Sequence, residues 1–462
     1  MFREFKVIKD APRGFKISLI EGGLTALGSS FIGPMVTPLL IRLGADASLL
    51  GIYIAIATAS TPPLQVASAL LLDRFRERRL ELMTIFSALN RAIWILVLLV
   101  ILGLWGDVWT VIALLILLRV FGTVAGLAWT DIMADLSELS LRGRLFALRN
   151  SILGIVSIIS LAFAKFIYDT YSYPTGYIYA FSIGTAFMLA STPLLYLYGD
   201  PVRPKGVGIS LRTFLDIIKD REVLKDTLAM SFWNSSVNLV SAVWVYHMFV
   251  AFNADETWFT TLNLVGSVTR IAANFPWGRI YDRFGPRRVF LLSGLGIIAV
   301  PVLFPLLPNL EGQLVLQVYS SFAWTGFGLA SFNYAISYSA TLRHVYIAMY
   351  NSIPAIASSV ASILGSFLYQ ELGVAVFYIS AICRVLAAIV LYKYASERGV
   401  TYEELKFLAH LYPLLVVGRG IVANVYLEAV YTLKVIYSLI ATTILLAMLI
   451  SVYIIVLRLF MR

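Results

Sequence analysis

Apolar residues in this chain do not alternate and do not stripe; they run. Stretches of about 20 hydrophobic positions, the length that crosses a bilayer as a helix, recur between short polar breaks. Reading the runs between breaks predicts twelve helical spans: 17–42, 48–72, 80–103, 108–134, 150–168, 176–199, 228–251, 257–279, 289–308, 313–340, 346–369 and 374–394. A further run at 435–457, VIYSLIATTILLAMLISVYIIVL, is long enough to be an additional transmembrane helix. The mixed segment 396–434 before it contains LKFLAHLYPLLVVG, which suits either a linker or an interfacial or re-entrant stretch. The C-terminus can therefore end on either side.

The polar breaks have a sign. Basic residues gather in the tail (Arg3, Lys6, Lys9, Arg13, Lys16) and after every second span: Arg74, Arg76, Arg78 and Arg79; Arg142, Arg144 and Arg149; Arg203, Lys205, Arg212, Lys219, Arg221 and Lys225; Arg279, Arg283, Arg287 and Arg288. The alternate connections are short and nearly free of Lys and Arg, with Arg42 and Lys165 at helix ends there. Cytoplasmic loops carry the excess of Lys and Arg, so this bias places the N-terminus in the cytoplasm of a multi-pass plasma-membrane protein. The apolar run after the basic tail is too long for a signal-peptide core and reads as the first span.

Composition agrees and excludes several classes. The 462 residues are 60% hydrophobic and 13% charged, with a net charge of +10. That excess belongs to loops rather than to a nucleic-acid surface. The one cysteine, Cys383, builds no disulfide framework, and His247, His344 and His410 form no metal-ligand pair. No metal and no cofactor is expected. No His, Cys or Ser constellation supplies a nucleophile with its base, which argues against an enzyme.

The chain also repeats. Slid along itself by 209 positions, Ala45 and Asp46 land on Ala254 and Asp255; Asp73, Arg74 and Phe75 land on Asp282, Arg283 and Phe284; Arg78 and Arg79 land on Arg287 and Arg288. GLAW at 126–129 echoes GLAS at 328–331, and NSI recurs at 150 and 351. Two parallel six-helix halves follow, 1–199 and 228–395. The connector 200–227 contains SLRTFLDIIKDREVL, an amphipathic pattern suited to a helix on the membrane surface.

The repeated turns are the chemical signature. GRIYDRFGPRR, at 278–288, and ALLLDRFRERR, at 69–79, sit between apolar spans. With these residues the chain resembles the major facilitator superfamily, whose mark between helices 2 and 3, and again between 8 and 9, is G-x-x-x-D-R-x-G-R-[RK]. The second copy is nearly complete: Gly278, Asp282, Arg283, Gly285, Arg287 and Arg288. The first has Ala69 for the helix glycine and Arg76 for the loop glycine, while Asp73, Arg74, Arg78 and Arg79 remain. A small residue lets another helix approach. An acid gains from a helix N-terminus. Arginines bridge to acids across the seam, with Asp135 and Glu138 as natural partners for Arg74 or Arg79. These residues are the candidate cytoplasmic gate. For the arginines, plain positive-inside topology is an equal reading.

Ionisable residues inside spans cost roughly 2.5–3.5 kcal/mol on insertion scales and default to functional candidates. Here they are Glu21, Arg91, Arg119, Asp131, Arg270 and Arg384. Arg119 sits in LLRVFGTVAG, similar to the family's helix-4 pattern R-x-x-x-G with the glycine one place early at Gly122. The resemblance implies a cavity position and a link to proton coupling. Arg270 could pair with Glu21 or meet an anionic group; Arg91 and Arg384 could instead snorkel or pack. Trp233, Asn234 and Asn238 in span 7, with Trp324, Asn333 and Tyr334 in span 10, offer stacking faces and amides for a sugar, a nucleoside or an amphipathic compound; ordinary packing is the plainer reading of any single tryptophan.

The resemblance implies an all-α, twelve-helix fold of two bundles around a central site. The expected function is secondary active transport of a small molecule by alternating access, by a monomer, with a proton or another coupling ion as possible co-substrate. Uptake of a polar metabolite and efflux of amphipathic compounds both fit. The competing class is a non-transporting sensor on the same fold.

Overall fold

The computed structural model of the chain describes residues 11–136, 142–199, 220–336 and 343–394. The connector from 200 to 219, Glu138 and everything from 395 onward, including the apolar run 435–457, lie outside the described residues. Among the described residues every regular element is helical.

The first helix, α1 (Arg13–Ile32), passes through a 3-10 turn at Gly33–Met35 into α2 (Val36–Arg42). There follow α3 (Ala47–Ala59), α4 (Thr61–Arg74), α5 (Arg79–Ile101), α6 (Val108–Leu136), α7 (Arg142–Thr170) and α8 (Thr175–Tyr196). After the connector come α9 (Arg221–Asn238), α10 (Ser241–Ala251), α11 (Glu256–Leu303), α12 (Leu310–Ile336), α13 (Arg343–Leu372) and α14 (Ala375–Tyr394). Among the described residues, seven stretches are long and apolar enough to cross a membrane: Arg13–Arg42, Ala47–Leu72, Arg79–Ile101, Val108–Met133, Arg149–Thr170, Thr175–Tyr196 and Met349–Leu372. Leu292–Leu306 and Ala375–Leu391 are shorter apolar helices.

Aspartates start several helices. A helix leaves its first backbone N–H groups unpaired, and an N-cap side chain accepts from one of them. Asp46 accepts from the Leu49 N–H at 2.7 Å, and Asp255 from the Trp258 N–H at 3.1 Å. The repeated Ala-Asp pair is therefore a repeated helix start. Just before the first copy, Gly44 takes φ +95°, a conformation that side chains rarely adopt, and turns the chain from α2 towards α3.

The run α11 holds 48 helical residues. Straight, it would reach about 72 Å. Yet the Phe252 and Phe304 rings, just outside its two ends, lie 5.3 Å apart between centroids. The run must double back, and GRIYDRFGPRR lies near its middle. That is the stretch in which the sequence expects a turn between two spans.

Buried side chains sort by end. At the end carrying the basic turns, one cluster (Phe15, Met83, Ile132, Leu195, Tyr198) draws only on residues before 200, and another (Trp233, Phe290, Phe327, Tyr334, Leu391) only on residues after 220. At the opposite end a single cluster takes Leu39, Leu50 and Phe181 together with Val243, Phe304 and Phe377. Among the described residues, the halves thus share a buried apolar cluster at one end and keep separate clusters at the other. Close backbone approaches support it: a Cβ on Gly51 would fall 2.0 Å from the Ser366 hydroxyl oxygen. Helices in lipid associate by such packing, because the surrounding tails are as apolar as the side chains.

A test follows from α13. A Cβ at Gly365 would fall 1.6 Å from the Leu239 carbonyl oxygen, whereas at Gly328 it would meet nothing within 4 Å. Gly365→Ala should lower the thermal unfolding midpoint of the purified protein in detergent, and Gly328→Ala should leave it unchanged or raise it slightly. Equal midpoints for the two variants would contradict the packing described.

Candidate functional site

Two polar assemblies stand out, one at each end, the first buried and the second partly exposed. The first begins on α1. Glu21 and Thr25 are one turn apart, so both face the same neighbours. Glu21 is 4% exposed and Arg91, from α5, 6%. Arg91 Nη2 donates to Glu21 Oε1 at 2.7 Å and to Thr25 Oγ1 at 3.1 Å; its Nη1 donates to Thr192 Oγ1 on α8 at 2.9 Å. Thr25 Oγ1 also reaches Glu21 Oε1 at 2.8 Å, and the Tyr198 hydroxyl donates to Glu21 Oε2 at 2.8 Å. One carboxylate thereby ties α1, α5 and the end of α8.

Beside it sits Arg149 from α7, 8% exposed. Its guanidinium lies over the Trp129 ring at 4.7 Å from the centroid. Its Nε has no hydrogen-bond partner. Gly22 makes room for it, since a Cβ there would fall 2.5 Å from Arg149 Nη2. Glu21, Arg91 and Arg149 line a cavity of about 430 Å³ together with Trp129, Asn90 and Gly126.

The second assembly crosses between the halves. Arg42 Nε and Nη2 donate to the two oxygens of Glu256 at 2.8 and 3.0 Å, a bidentate pair. The Tyr177 hydroxyl adds a bond to Glu256 Oε1 at 3.0 Å. The Arg42 guanidinium also lies over the Tyr173 ring (6.0 Å) and the Phe249 ring (5.2 Å), one from each half. Thr257 donates to Asp169 at 2.7 Å, and Gln370 to Asp46 at 3.4 Å. All of these sit at the end where the two halves share a core. Burial works against the ionised form of Glu256, but the Arg42 bonds outweigh it and hold its pKa below the usual carboxylate value.

The residues singled out in the sequence scatter across these surroundings. Glu21 and Arg91 come together; Arg270 does not join them. It is exposed and bonds Ser267 on its own helix at 3.0 Å. Arg119 is exposed and reaches Thr61 Oγ1 at 3.2 and 3.3 Å. Asp131 turns away from the cavity: with Asp135 it holds Arg79, at 3.0 and 2.6 Å. Arg79 is 1% exposed. It ties α5 to α6 within one half, so this contact does not bridge the two. Arg74 lies over its neighbour Phe75, and Ala69 and Arg78 are exposed. A Cβ on Gly278 would meet nothing within 4 Å, so close packing does not explain that glycine. The side chains of Asp73, Asp282, Arg283, Arg287, Arg288 and Asn333, and the surroundings of Gly285, lie outside the described part of the structure.

The aromatic group separates too. Trp233 is fully buried and stacks on Phe327 at 4.7 Å, so it is core. Trp324 packs edge-on against the same Phe327 at 5.9 Å. Tyr334 donates to Asp226 at 2.7 Å. Asn238 bonds the Asn234 carbonyl at 2.9 Å, within one turn of helix. Arg384 is buried on α14 and donates to the Ile297 carbonyl at 3.0 Å.

Sequence reading missed Arg149, Trp129, Asn90, Glu256 and Tyr177. Arg149 was grouped with a basic loop because it begins a span. Arg42 had a visible signal: it is a cation at an end otherwise nearly free of them.

Comparison with known proteins adds the last observations. The profile described as Major Facilitator Superfamily matches residues 227–461. Among solved structures, the nucleoside transporter NupG superposes with a TM-score of 0.61 at 10% identity, covering 82% of this chain and 98% of that one. The xylose transporter XylE from E. coli gives 0.61 at 15%, covering 85% and 98%. The human organic anion transporter MFSD10 gives 0.58 at 13%, covering 82% and 100%. At these identities the likeness is one of fold. No curated protein matches by sequence.

Breaking a buried ion pair on one side leaves an uncompensated charge and costs roughly 3–5 kcal/mol. Glu21→Gln and Arg91→Gln should therefore each lower the thermal midpoint, and the double substitution should cost clearly less than the sum of the two. Strict additivity in that cycle would mean that the pair does not act as a unit.

Proposed function

The chain belongs to the Major Facilitator Superfamily and is a multi-pass membrane transporter rather than an enzyme, and on that premise we propose that it is a secondary transporter that moves a small molecule by alternating access. Its twelve spans form two six-helix bundles, 1–199 and 228–395, joined by the connector 200–227, with 435–457 as an additional span. The N-terminus and the basic turns face the cytoplasm.

The observation that carries this reading is the one-sided seam. Among the described residues, the buried cluster that draws on both halves is the one at the end where Arg42 meets Glu256. At the basic end each half keeps its own core. Two bundles joined at one rim and separate at the other are one extreme of a rocking cycle around a central site. With the basic end inside, this is the inward-open extreme. The basic turns at 69–79 and 278–288 form the gate that closes when the outer seam opens. Glu21 is the carboxylate of the polar cavity, and its pairing with Arg91 is the contact on which a coupling ion would act.

For the seam to open, the Arg42 and Glu256 pair must separate and both groups must hydrate. The Glu256 pKa is depressed in the closed seam, so the pair's contribution is complete at neutral pH. It is lost only as pH falls through that depressed value.

The solved neighbours are named for nucleoside, xylose and organic-anion transport, so the fold alone leaves the substrate open. The seam can be tested without knowing it. Leu50 is fully buried there, and in a Cys383→Ala background Leu50→Cys gives a single thiol at that position. Arg42→Glu should raise the rate at which an impermeant maleimide labels Leu50→Cys from outside by about tenfold or more, the change produced by ~1.4 kcal/mol. Adding Glu256→Arg should restore slow labelling. Labelling that ignores both substitutions would refute the latch.

A further inference from the structure

We propose that the cavity between α1, α5, α6 and α7 binds an organic anion: a single carboxylate on a flat or apolar body, anchored by Arg149. The proposal rests on the transport reading above and names the substrate class for it.

The argument is one of charge and of unmet bonds. The charged residues lining the cavity are Glu21, Arg91 and Arg149. Two guanidiniums and one carboxylate leave one positive charge. Glu21 is already committed: Arg91 and Thr25 hold one of its oxygens and Tyr198 the other. Arg91 is committed as well, to Glu21, Thr25 and Thr192. Arg149 shares the field of that same Glu21 and touches the Tyr198 hydroxyl, but has no carboxylate of its own. It is more than nine-tenths buried, and its Nε finds no partner. A buried charge with an unmet donor, held inside a membrane protein, is costly unless something of opposite sign reaches it. Its position over Trp129 fixes the plane of the guanidinium. A carboxylate accepts from such a planar fork through two parallel bonds.

The rest of the lining describes the ligand's body. Trp129, Leu153, Met188 and Leu195 supply apolar surface, and Asn90 and Ser87 supply a few polar contacts. Some 430 Å³ suits a small molecule and falls within the usual size of ligand pockets. A cation would meet the excess positive charge. A neutral sugar would leave the cavity's excess positive charge unmet.

The test uses the full-length protein, purified and reconstituted. Binding of radiolabelled benzoate is measured by scintillation proximity, with competition by phenylacetate and hexanoate, by their amides, and by benzylamine. Carboxylates should compete, and amides and amine should not. Arg149→Gln should weaken benzoate binding by about tenfold or more, the loss expected for a charge-assisted contact. Arg149→Lys should recover only part of it. Should Arg149→Gln fold poorly, Gly126→Leu serves instead. Gly126 lines the cavity and a Cβ there meets nothing, so this variant fills the space and leaves every charge in place. It should abolish benzoate binding while keeping the thermal midpoint.

Amides or benzylamine binding as well as carboxylates would overturn the proposal. So would carboxylate binding that survives both Arg149→Gln and Gly126→Leu. If no carboxylate binds while the outer seam still opens and closes in the labelling assay, the anion site is wrong and the transporter reading stands. If carboxylates bind through Arg149 but the seam never opens, the site is right and the transport cycle is wrong.

Discussion

A guanidinium buried among hydrocarbon is tolerated when an acceptor meets it, and the described structure is arranged around that constraint. Buried Arg79 is met by Asp131 and Asp135 and buried Arg91 by Glu21, while at the opposite end the exposed Arg42 meets the buried Glu256. Each pair fixes something different. The first ties two neighbouring helices at the basic end. The second binds three helices of one half through a single carboxylate. The third joins the two halves. Arg384 is satisfied in part, by one backbone carbonyl, and its Nε is left without a partner. Arg149 is the case in which the residue with an unmet bond also lines a cavity.

The placement of these pairs gives the molecule its asymmetry. The within-half pairs named here both tie helices of the half before residue 200, while the pair between halves can break. Closing the outer rim with one bidentate contact, three lighter hydrogen bonds and a continuous apolar cluster makes it stable but separable. A seam built only of interdigitated apolar groups would lack the charge that water can claim when it opens. The polar cavity lies away from this rim, within the half that precedes residue 200, where the two cores are separate.

Much of the fold was legible because hydropathy in a bilayer leaves few choices: long apolar runs must be helices. The repeat at offset 209 was legible too, and Asp46 and Asp255 turn out to be matching N-caps. The polar sites were harder. Hydropathy marks Glu21 and Arg91 as costly but says nothing about which helices meet, so Arg270 looked as good a partner as Arg91. Asp131 looked like a cavity residue because it falls inside an apolar run, yet it lies one turn from Asp135 and shares its arginine. Trp233 and Tyr334 had the composition of a binding surface and proved to be core, since an aromatic side chain packs as readily as it binds. Arg149 was hidden by the rule that exposed the topology: a cation next to a basic turn counts as a loop charge until its burial is known.

The central claim is that the seam at Arg42 and Glu256 and the separation at the basic end are alternatives. Pulsed EPR distances measure both at once. Spin labels on Glu77→Cys and Glu222→Cys report the basic end, and labels on Leu104→Cys and Leu306→Cys the opposite end, in a Cys383→Ala background. Introducing Arg42→Glu should shorten the first distance and lengthen the second. A lengthened outer distance with an unchanged distance at the basic end would mean that the halves do not rock about a common site, and would contradict the account.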